Sequence, residues 1–256
     1  MNDTITWTTA MARARRVLAA DYACDPHAFV KDGQTFAAPA VRSGRRRFPV
    51  PARPLAIGTF GRSVVVLCDD DRQESLRTIL KDASRDEIFA AGVVSRLAEF
   101  ASRDGQIVHG PHLTFLVSSD RLRPVATPDG VSIALLLEGR IGAIPDRAYF
   151  PHALPATERP GRPTVAAATA LARGYVVGVA AAGADSDDLW QIGVDVLPEA
   201  QGSGVGRAVV AALARWILDQ GRVPYYAAAT GNIRSQALAT SVGFRPAWTE
   251  MYATAV

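Results

Sequence analysis

The passage that most constrains the fold runs from Val194 to Arg207: Val-Asp-Val-Leu-Pro-Glu-Ala-Gln-Gly-Ser-Gly-Val-Gly-Arg. Val194 and Val196 stand two apart, as residues on one face of a strand do, and Pro198 cannot continue a ladder. Gly202, Gly204 and Gly206 follow at alternate positions. Beyond them Val205, Val209, Leu213 and Ile217 recur at helical spacing until Gly221. A strand therefore runs into a glycine-rich turn, and the turn opens a helix. Such a turn bares backbone N–H groups at the positive end of a helix dipole, which suits phosphate oxygens. Glycine lets the main chain approach a ligand where a Cβ would obstruct it.

Three phosphate-loop readings compete. A P-loop needs Lys and Ser/Thr after its last glycine, whereas Arg207-Ala208 stands here. A dinucleotide fingerprint needs GxGxxG at the first strand of a βαβ unit; the spacing here is GxGxG, and hairpins precede it. The third reading, Gln-x-x-Gly-x-Gly, is met by Gln201, Gly204 and Gly206. It resembles the pyrophosphate-binding motif of the GNAT superfamily of N-acyltransferases. Further residues stand in register with it: Val194 and Val196 before the turn, Pro198 at the strand end, Asn232 with Ser235 opening a later helix, and Gly243-Phe244 after that helix. These cover about 164–255. The passages Trp190–Pro198 and Val223–Tyr226 further resemble a bacterial GNAT subgroup with an additional N-terminal domain.

The rest of the chain agrees with an α+β fold. Periodicity predicts a helix over 5–23, a strand at 35–41, a hairpin of 53–58 and 63–68 turning at Phe60-Gly61, and helices over 73–81 and 86–102. Strands are expected at 112–118 and 131–138. The segment 144–164 carries five prolines, Pro145, Pro151, Pro155, Pro160 and Pro163, and reads as irregular connections. A hairpin of 164–171 and 175–182 turns at 172–174. A second turn at 183–187 leads to a strand at 188–197, the helix at 204–219, a strand at 223–230, a helix at 232–242 and a last strand at 244–255. The expected division is an N-terminal α+β domain of unknown role at 1–110 and a GNAT domain at 111–256. The resemblance implies for the latter a mixed, mostly antiparallel sheet flanked by helices, with the strands at 188–197 and 223–230 parallel and splayed apart.

The resemblance also implies a reaction. Acetyl-CoA, as co-substrate, would lie in the wedge between those strands. The backbone of Gly202, Ser203, Gly204, Val205, Gly206 and Arg207 would hold its pyrophosphate, with Gln201 beside it and Arg207 adding charge. Val194 and Val196 would pair with the pantetheine arm, and Asn232 and Ser235 would meet it from the far side. An N–H near Val196–Leu197 would polarise the thioester carbonyl. A primary amine, of a small molecule or an amino terminus, would then attack directly. Family members often carry Tyr seven residues after the Asn; here that position is Ala239. Tyr225, Tyr226 and Ser241 are candidate proton donors in its stead. Trp190 stands where some relatives have a general-base Glu, leaving Asp195, or Asp185, Asp187 and Asp188 acting through water, as candidate bases. The competing reading of the turn carboxylates is plain solvation. A second functional reading is a non-catalytic module that binds acyl-CoA as a ligand or sensor.

Composition bounds the alternatives. The chain has 256 residues and a formal charge of +3. Residues 1–120 hold sixteen basic and fourteen acidic residues and 121–256 hold twelve and eleven, so no basic arm addresses nucleic acid. Arg42, Arg45, Arg46 and Arg47 do form a local cluster beside Phe48, read either as an anion or nucleic-acid site or, more commonly, as a solvated loop. The 26 Arg against two Lys suit a GC-rich bacterial genome. Cys24 and Cys68 have no metal spacing, and no metal is expected; a reducing cytoplasm is. His109 and His112 lack a third ligand, and His27 and His152 read as surface or packing residues. No apolar run is long enough to span a membrane.

Overall fold

The computed structural model describes residues 4–47, 54–157 and 161–256. Arg53, Phe48 and Pro160, on which parts of the expected strand, cluster and loop fall, lie outside them. The first elements are α1 (Trp7–Asp21), β1 (Gln34–Ala37), β2 (Leu55–Thr59), β3 (Val64–Cys68), α2 (Gln73–Leu80), α3 (Arg85–Ile88), α4 (Ala91–Ser102) and β4 (Gln106–Leu116). Then come β5 (Val131–Leu137), α5 (Glu138–Ile141), β6 (Thr164–Ala172), β7 (Tyr175–Gly183), β8 (Leu189–Val196), α6 (Val205–Asp219), β9 (Val223–Ala229), α7 (Ile233–Val242) and β10 (Arg245–Ala255). The pairing is mixed and mostly antiparallel, with β1/β3 and β8/β9 parallel.

The chain forms two compact units. One comprises residues up to Arg13, Phe115–Ala227 and Asn232–Pro246, and the other Ala14–Thr114, Ala228–Gly231 and Ala247–Val256. In the second, the strand order is β1-β3-β2-β10-β4. Leu55 and Ile57 of β2 pair with Cys68 and Val66 of β3, so their side chains share one face. Leu76 and Leu80 of α2 and Leu97 and Phe100 of α4 cover that face. The expected helix over 86–102 is two pieces. Ser84 and Glu87 form a capping box that starts α3, and Ala90 turns extended, at φ −86° and ψ 156°, before α4. Pro39 follows the short β1, and β4 begins well before the expected His112.

Arg46 departs from the reading of its cluster as either solvated or available to an anion. Its guanidinium is 5% exposed and grips both oxygens of Glu250 at 2.8 Å, while its Nε meets Asp21. Burial pulls against the charge, but Asp21 and Glu250 outweigh it and hold the group protonated. The residue is a structural tie.

In the first unit the order is β9-β8-β7-β6-β5. Arg173 and Gly174, both at positive φ, make the tight β6–β7 turn that a hairpin twist favours. One face is paved with alanines, Ala166, Ala168, Ala180 and Ala182 among them, all buried. Their small size lets α6 lie close, and a Cβ on Gly178 would stand 2.6 Å from Val205 Cγ1. The opposite face takes the irregular segment after β5: Ile141, Ile144, Phe150, Ala153 and Leu154 pack on Ala167, Val179 and Ala181. The sheet thus has a helix on one side and a loop on the other.

Candidate active site

The two edges of β8 serve different neighbours. Leu197 N–H donates to Val177 O of β7, and Val223 N–H of β9 donates to Asp188 O. Backbone polar groups alternate along a strand, so the odd-numbered residues of β8 bond to β7 and the even-numbered ones turn toward β9. The register with β7 continues to Val196, opposite Gly178. The register with β9 stops at Gln191, opposite Tyr225. Beyond that point both strands continue without a shared register, and the N–H groups of Val194 and Val196 face the opening on the side that β9 has left. Leu197 N–H, one of the pair considered for the thioester, is committed to β7.

The end of β8 is tied to the glycine turn by Gln201, whose Nε2 donates to Val196 O at 3.2 Å. Ser203 Oγ donates to Ala200 O at 2.6 Å. Gly202 and Gly204 hold left-handed φ of 79° and 93°, which any other residue type adopts at a cost. Gly204 is the N-cap of α6, and no side chain caps that end. The first-turn N–H groups have no carbonyl ahead of them, and Arg207 at this end is exposed. A Cβ on Gly206 would stand 2.7 Å from Leu238 Cδ1, so glycine there seats α6 on α7. Trp190 of β8 and Trp216 of α6 stack at 5.6 Å and fix strand to helix.

Across the opening, Asn232 caps α7, its Oδ1 accepting from Ser235 N–H at 3.1 Å. That leaves the Nδ2 donor of Asn232 outside the cap. Ser235 Oγ lies 2.6 Å from Tyr226 Oη. Burial pushes the Tyr226 phenol up, the Ser235 hydrogen bond pulls against this, and the charge of Asp195 adds to the rise. Tyr226 follows Tyr225, the last residue of β9 in register with β8, and so stands where the two strands part.

The other candidates fall elsewhere. Tyr225 donates its hydroxyl to Asp185, and Arg162 bonds both Asp185 and Gln191. Asp185 is 1% exposed, so for this residue of the 183–188 turn the solvated reading gives way to a buried ion pair. Asp188 stands 3.8 Å from Arg13, and Asp187 is exposed. Ser241 donates to Leu238 O at 2.7 Å within α7, two turns from Ser235. Ala239 is 0% exposed. Asp195 accepts at Oδ2 from the backbone N–H of His152 and Ala153, both at 2.8 Å, and its Oδ1 lies 2.7 Å from His152 Nδ1. His152 itself is 81% exposed at its side chain. The sequence offered no sign of this pair, whose members stand far apart in an irregular loop and a strand.

Among the described residues no group of three or more His, Cys, Asp or Glu is arranged to hold a metal ion. His109 and His112 pack beside Tyr252, with His109 Nε2 2.8 Å from Thr254 Oγ1. Burial first of all pushes both the Cys24 and Cys68 thiols up to about 11. Among the described residues no helix is long and apolar enough to cross a membrane.

A mixed sheet with one parallel pair that parts beside a glycine-opened helix defines the class. Residues 179–253 match the family described as FR47-like protein. That match spans less than a third of the chain, from within β7 to within β10, and the fold is similar to those of solved GCN5-related N-acetyltransferases. Among solved structures, a GCN5-related N-acetyltransferase from Kribbella flavida is 19% identical, at a TM-score of 0.50, over 95% of this chain and 94% of that one. A GCN5-related N-acetyltransferase-like protein from Streptococcus suis 89/1591 is 16% identical, at a TM-score of 0.45, over 64% of this chain and 68% of that one. No curated protein matches the chain.

Proposed function

We propose that the chain transfers an acetyl group from acetyl-CoA to a primary amine, by direct attack of the amine on the thioester. The observation that carries this reading is the half-paired strand. The even-numbered amides of β8 lead to the start of α6, whose N-cap is a glycine with no side chain to cap the first-turn donors. A nucleotide diphosphate with a long amide-bearing tail has the chemistry for both. The amides of Gly202–Arg207 would take the pyrophosphate and Arg207 would add charge. Val194 and Val196 would pair with the pantetheine amides, and Asn232 Nδ2 and Ser235 would approach from α7. We take residues 111–256 as the acyltransferase domain and 1–110 as an appended domain, acting in the cytoplasm.

When bound, acetyl-CoA supplies the activated acyl group, and the chain supplies position and charge. With Leu197 N–H committed to β7, the amide that polarises the thioester carbonyl is that of Val194 or Val196. Hydrogen bonds aimed at the developing oxyanion cost no reorganisation in the transition state. Tyr226 is our choice of proton donor for the departing thiolate. Its phenol stays protonated at neutral pH and sits by the opening, which fits the task that buried Ala239 cannot perform. Tyr225 and Ser241 we read as structural.

The absent hydroxyl at Ala239 keeps a second reading open, a module that binds acyl-CoA without turnover. Two measurements separate the cases. Calorimetry with acetyl-CoA is expected to show saturable binding that weakens on Arg207→Ala and Gly204→Val. Release of free CoA thiol is then followed over a panel of small amines and peptides with free amino termini. Turnover supports the enzyme, binding with no turnover of any amine supports the sensor, and no binding defeats both.

A further inference from the structure

We propose that His152, held by Asp195, is the base that takes the proton from the acceptor ammonium; this rests on the acetyl-transfer reading above and names its missing group. The two residues come from different elements. Asp195 is odd-numbered on β8, so its side chain projects from the face opposite α6, the face that packs the loop around residues 141–154. Two backbone N–H groups of that loop, from His152 and Ala153, bind Asp195 Oδ2. The loop crosses directly over Gly193, where a Cβ would stand 2.1 Å from His152 O. Phe150, Ala153 and Leu154 plunge into the core on either side. The backbone of His152 is therefore fixed over β8, two residues past the point where β9 leaves it.

The side chain has the opposite character. Its imidazole is 81% exposed while Asp195, behind it, is 14% exposed. A carboxylate only accepts hydrogen bonds, so Nδ1 carries the proton toward Asp195 Oδ1, and in the neutral ring the lone pair belongs to Nε2. Asp195 is the carboxylate in contact with the ring, and it fixes the ring's orientation. An ordinary surface histidine gains nothing from such anchoring. Here the carboxylate that orients the ring belongs to Asp195, the residue next to Val194, whose N–H is directed to the β9 side of the same strand. Asp195 acts as a positioning residue, and His152 as the group that meets the amine.

The ammonium R–NH3+ gives one proton to His152 Nε2, and its freed lone pair attacks the thioester carbonyl carbon. The C–N bond forms, the C–S bond breaks with its electron pair to sulfur, and the second nitrogen proton ends on the thiolate. His152 then returns its proton to water. The sum is ammonium plus acetyl thioester giving amide, free thiol and one proton.

The test has three arms on the full chain. Calorimetry with acetyl-CoA decides the underlying reading first; wild type that fails to bind removes both readings together. With binding shown, diethyl pyrocarbonate labelling is mapped by mass spectrometry, with His27, His109 and His112 as internal controls. His152 is expected to label readily, and saturating acetyl-CoA to slow that labelling at least fivefold relative to His27. His152→Ala keeps both backbone donors to Asp195, so the loop stays in place. For any amine turned over, it is expected to lower kcat at pH 7 by about 10²–10⁴-fold, with acetyl-CoA affinity within twofold. The deficit shrinks as pH rises toward the pKa of the amine, and added imidazole restores part of the rate. A purely structural role would give neither the pH dependence nor the rescue. Unchanged labelling of His152 under saturating acetyl-CoA overturns the proposal, as does turnover within threefold of wild type at every pH.

Discussion

Two networks of charged side chains in the molecule look alike on paper and differ in one respect. In the unit of Ala14–Thr114, Arg46 is enclosed by Asp21 and Glu250, and the Trp248 indole also reaches Glu250 at 3.4 Å. In the unit of Phe115–Ala227, Asp195 is ringed by the amides of His152 and Ala153 and by the imidazole. The first network is closed: its cation is 5% exposed, and each of its three guanidinium nitrogens meets a carboxylate. The second is closed on the carboxylate side and open on the imidazole side. A closed network can only hold the chain together. An open one holds a titratable edge in a fixed place before solvent, which is what proton transfer requires.

The contrast breaks if the closed network proves dispensable to folding. Arg46→Ala leaves two carboxylates buried without their cation, and removal of one partner of a buried ion pair costs about 3–5 kcal/mol. Urea unfolding is expected to report a loss of that order, with acetyl-CoA affinity per folded molecule unchanged. A wild-type midpoint for the variant, or a selective loss of acetyl-CoA binding, would end the distinction. Gly193→Ala probes the anchoring of the open network. Its Cβ would meet the main chain of His152, which cannot swing aside like a side-chain tip. We expect a cost of about 1–3 kcal/mol from overpacking and freer exchange of the amide protons of His152 and Ala153. Unaltered exchange at those two amides would show that the loop is not pinned as described.

The difference in legibility follows the same line. The path from β8 into α6 is local, set by alternation at Val194 and Val196, glycines at 202 and 204, and helical spacing from Val205. Each signal acts within a turn or two of chain, so sequence patterns suffice. The cap of α7 by Asn232 and its end at left-handed Gly243 were legible for the same reason. The break between α3 and α4 was not, because it turns on whether Ala90 extends, and alanine carries no turn signal. Asp195 and His152 were illegible as a pair, since only the folding of a proline-rich loop across Gly193 joins them. Arg46 misled for the complementary reason: a basic run reads as surface until the distant Glu250 arrives to neutralise it.

Tyr226 extends the comparison to a hydroxyl, which meets Ser235 Oγ and stands where β8 and β9 part. Tyr226→Phe keeps the ring, including its edge contact with Phe244 at 6.0 Å, and removes only the Oη. If this phenol donates to the thiolate, kcat for a turned-over amine should fall by about 10-fold or more, with acetyl-CoA affinity little changed. Tyr225→Phe should instead act on stability, because its hydroxyl serves buried Asp185. Equal kinetic effects of the two variants would refute our choice between them.

The smallest expected effect falls on Asn232, which is asked to do two things at once. Its Oδ1 caps α7 by accepting from Ser235 N–H, and its Nδ2 is offered to the pantetheine arm. Asn232→Ala removes both, and loss of such a cap costs about 1 kcal/mol. Asn232→Asp keeps an acceptor for the cap and deletes the donor. The cap reading therefore predicts lowered stability for the alanine variant and near wild-type stability for the aspartate. The ligand reading predicts weakened acetyl-CoA binding for both, by about 5–10-fold for one lost hydrogen bond. Because the cap also sets the position of Ser235, and through it the Tyr226 hydroxyl, the two readouts must be taken on the same preparations. Should the aspartate variant bind acetyl-CoA as wild type does, Asn232 is a helix cap and nothing more, and the pantetheine contact passes to Ser235 alone.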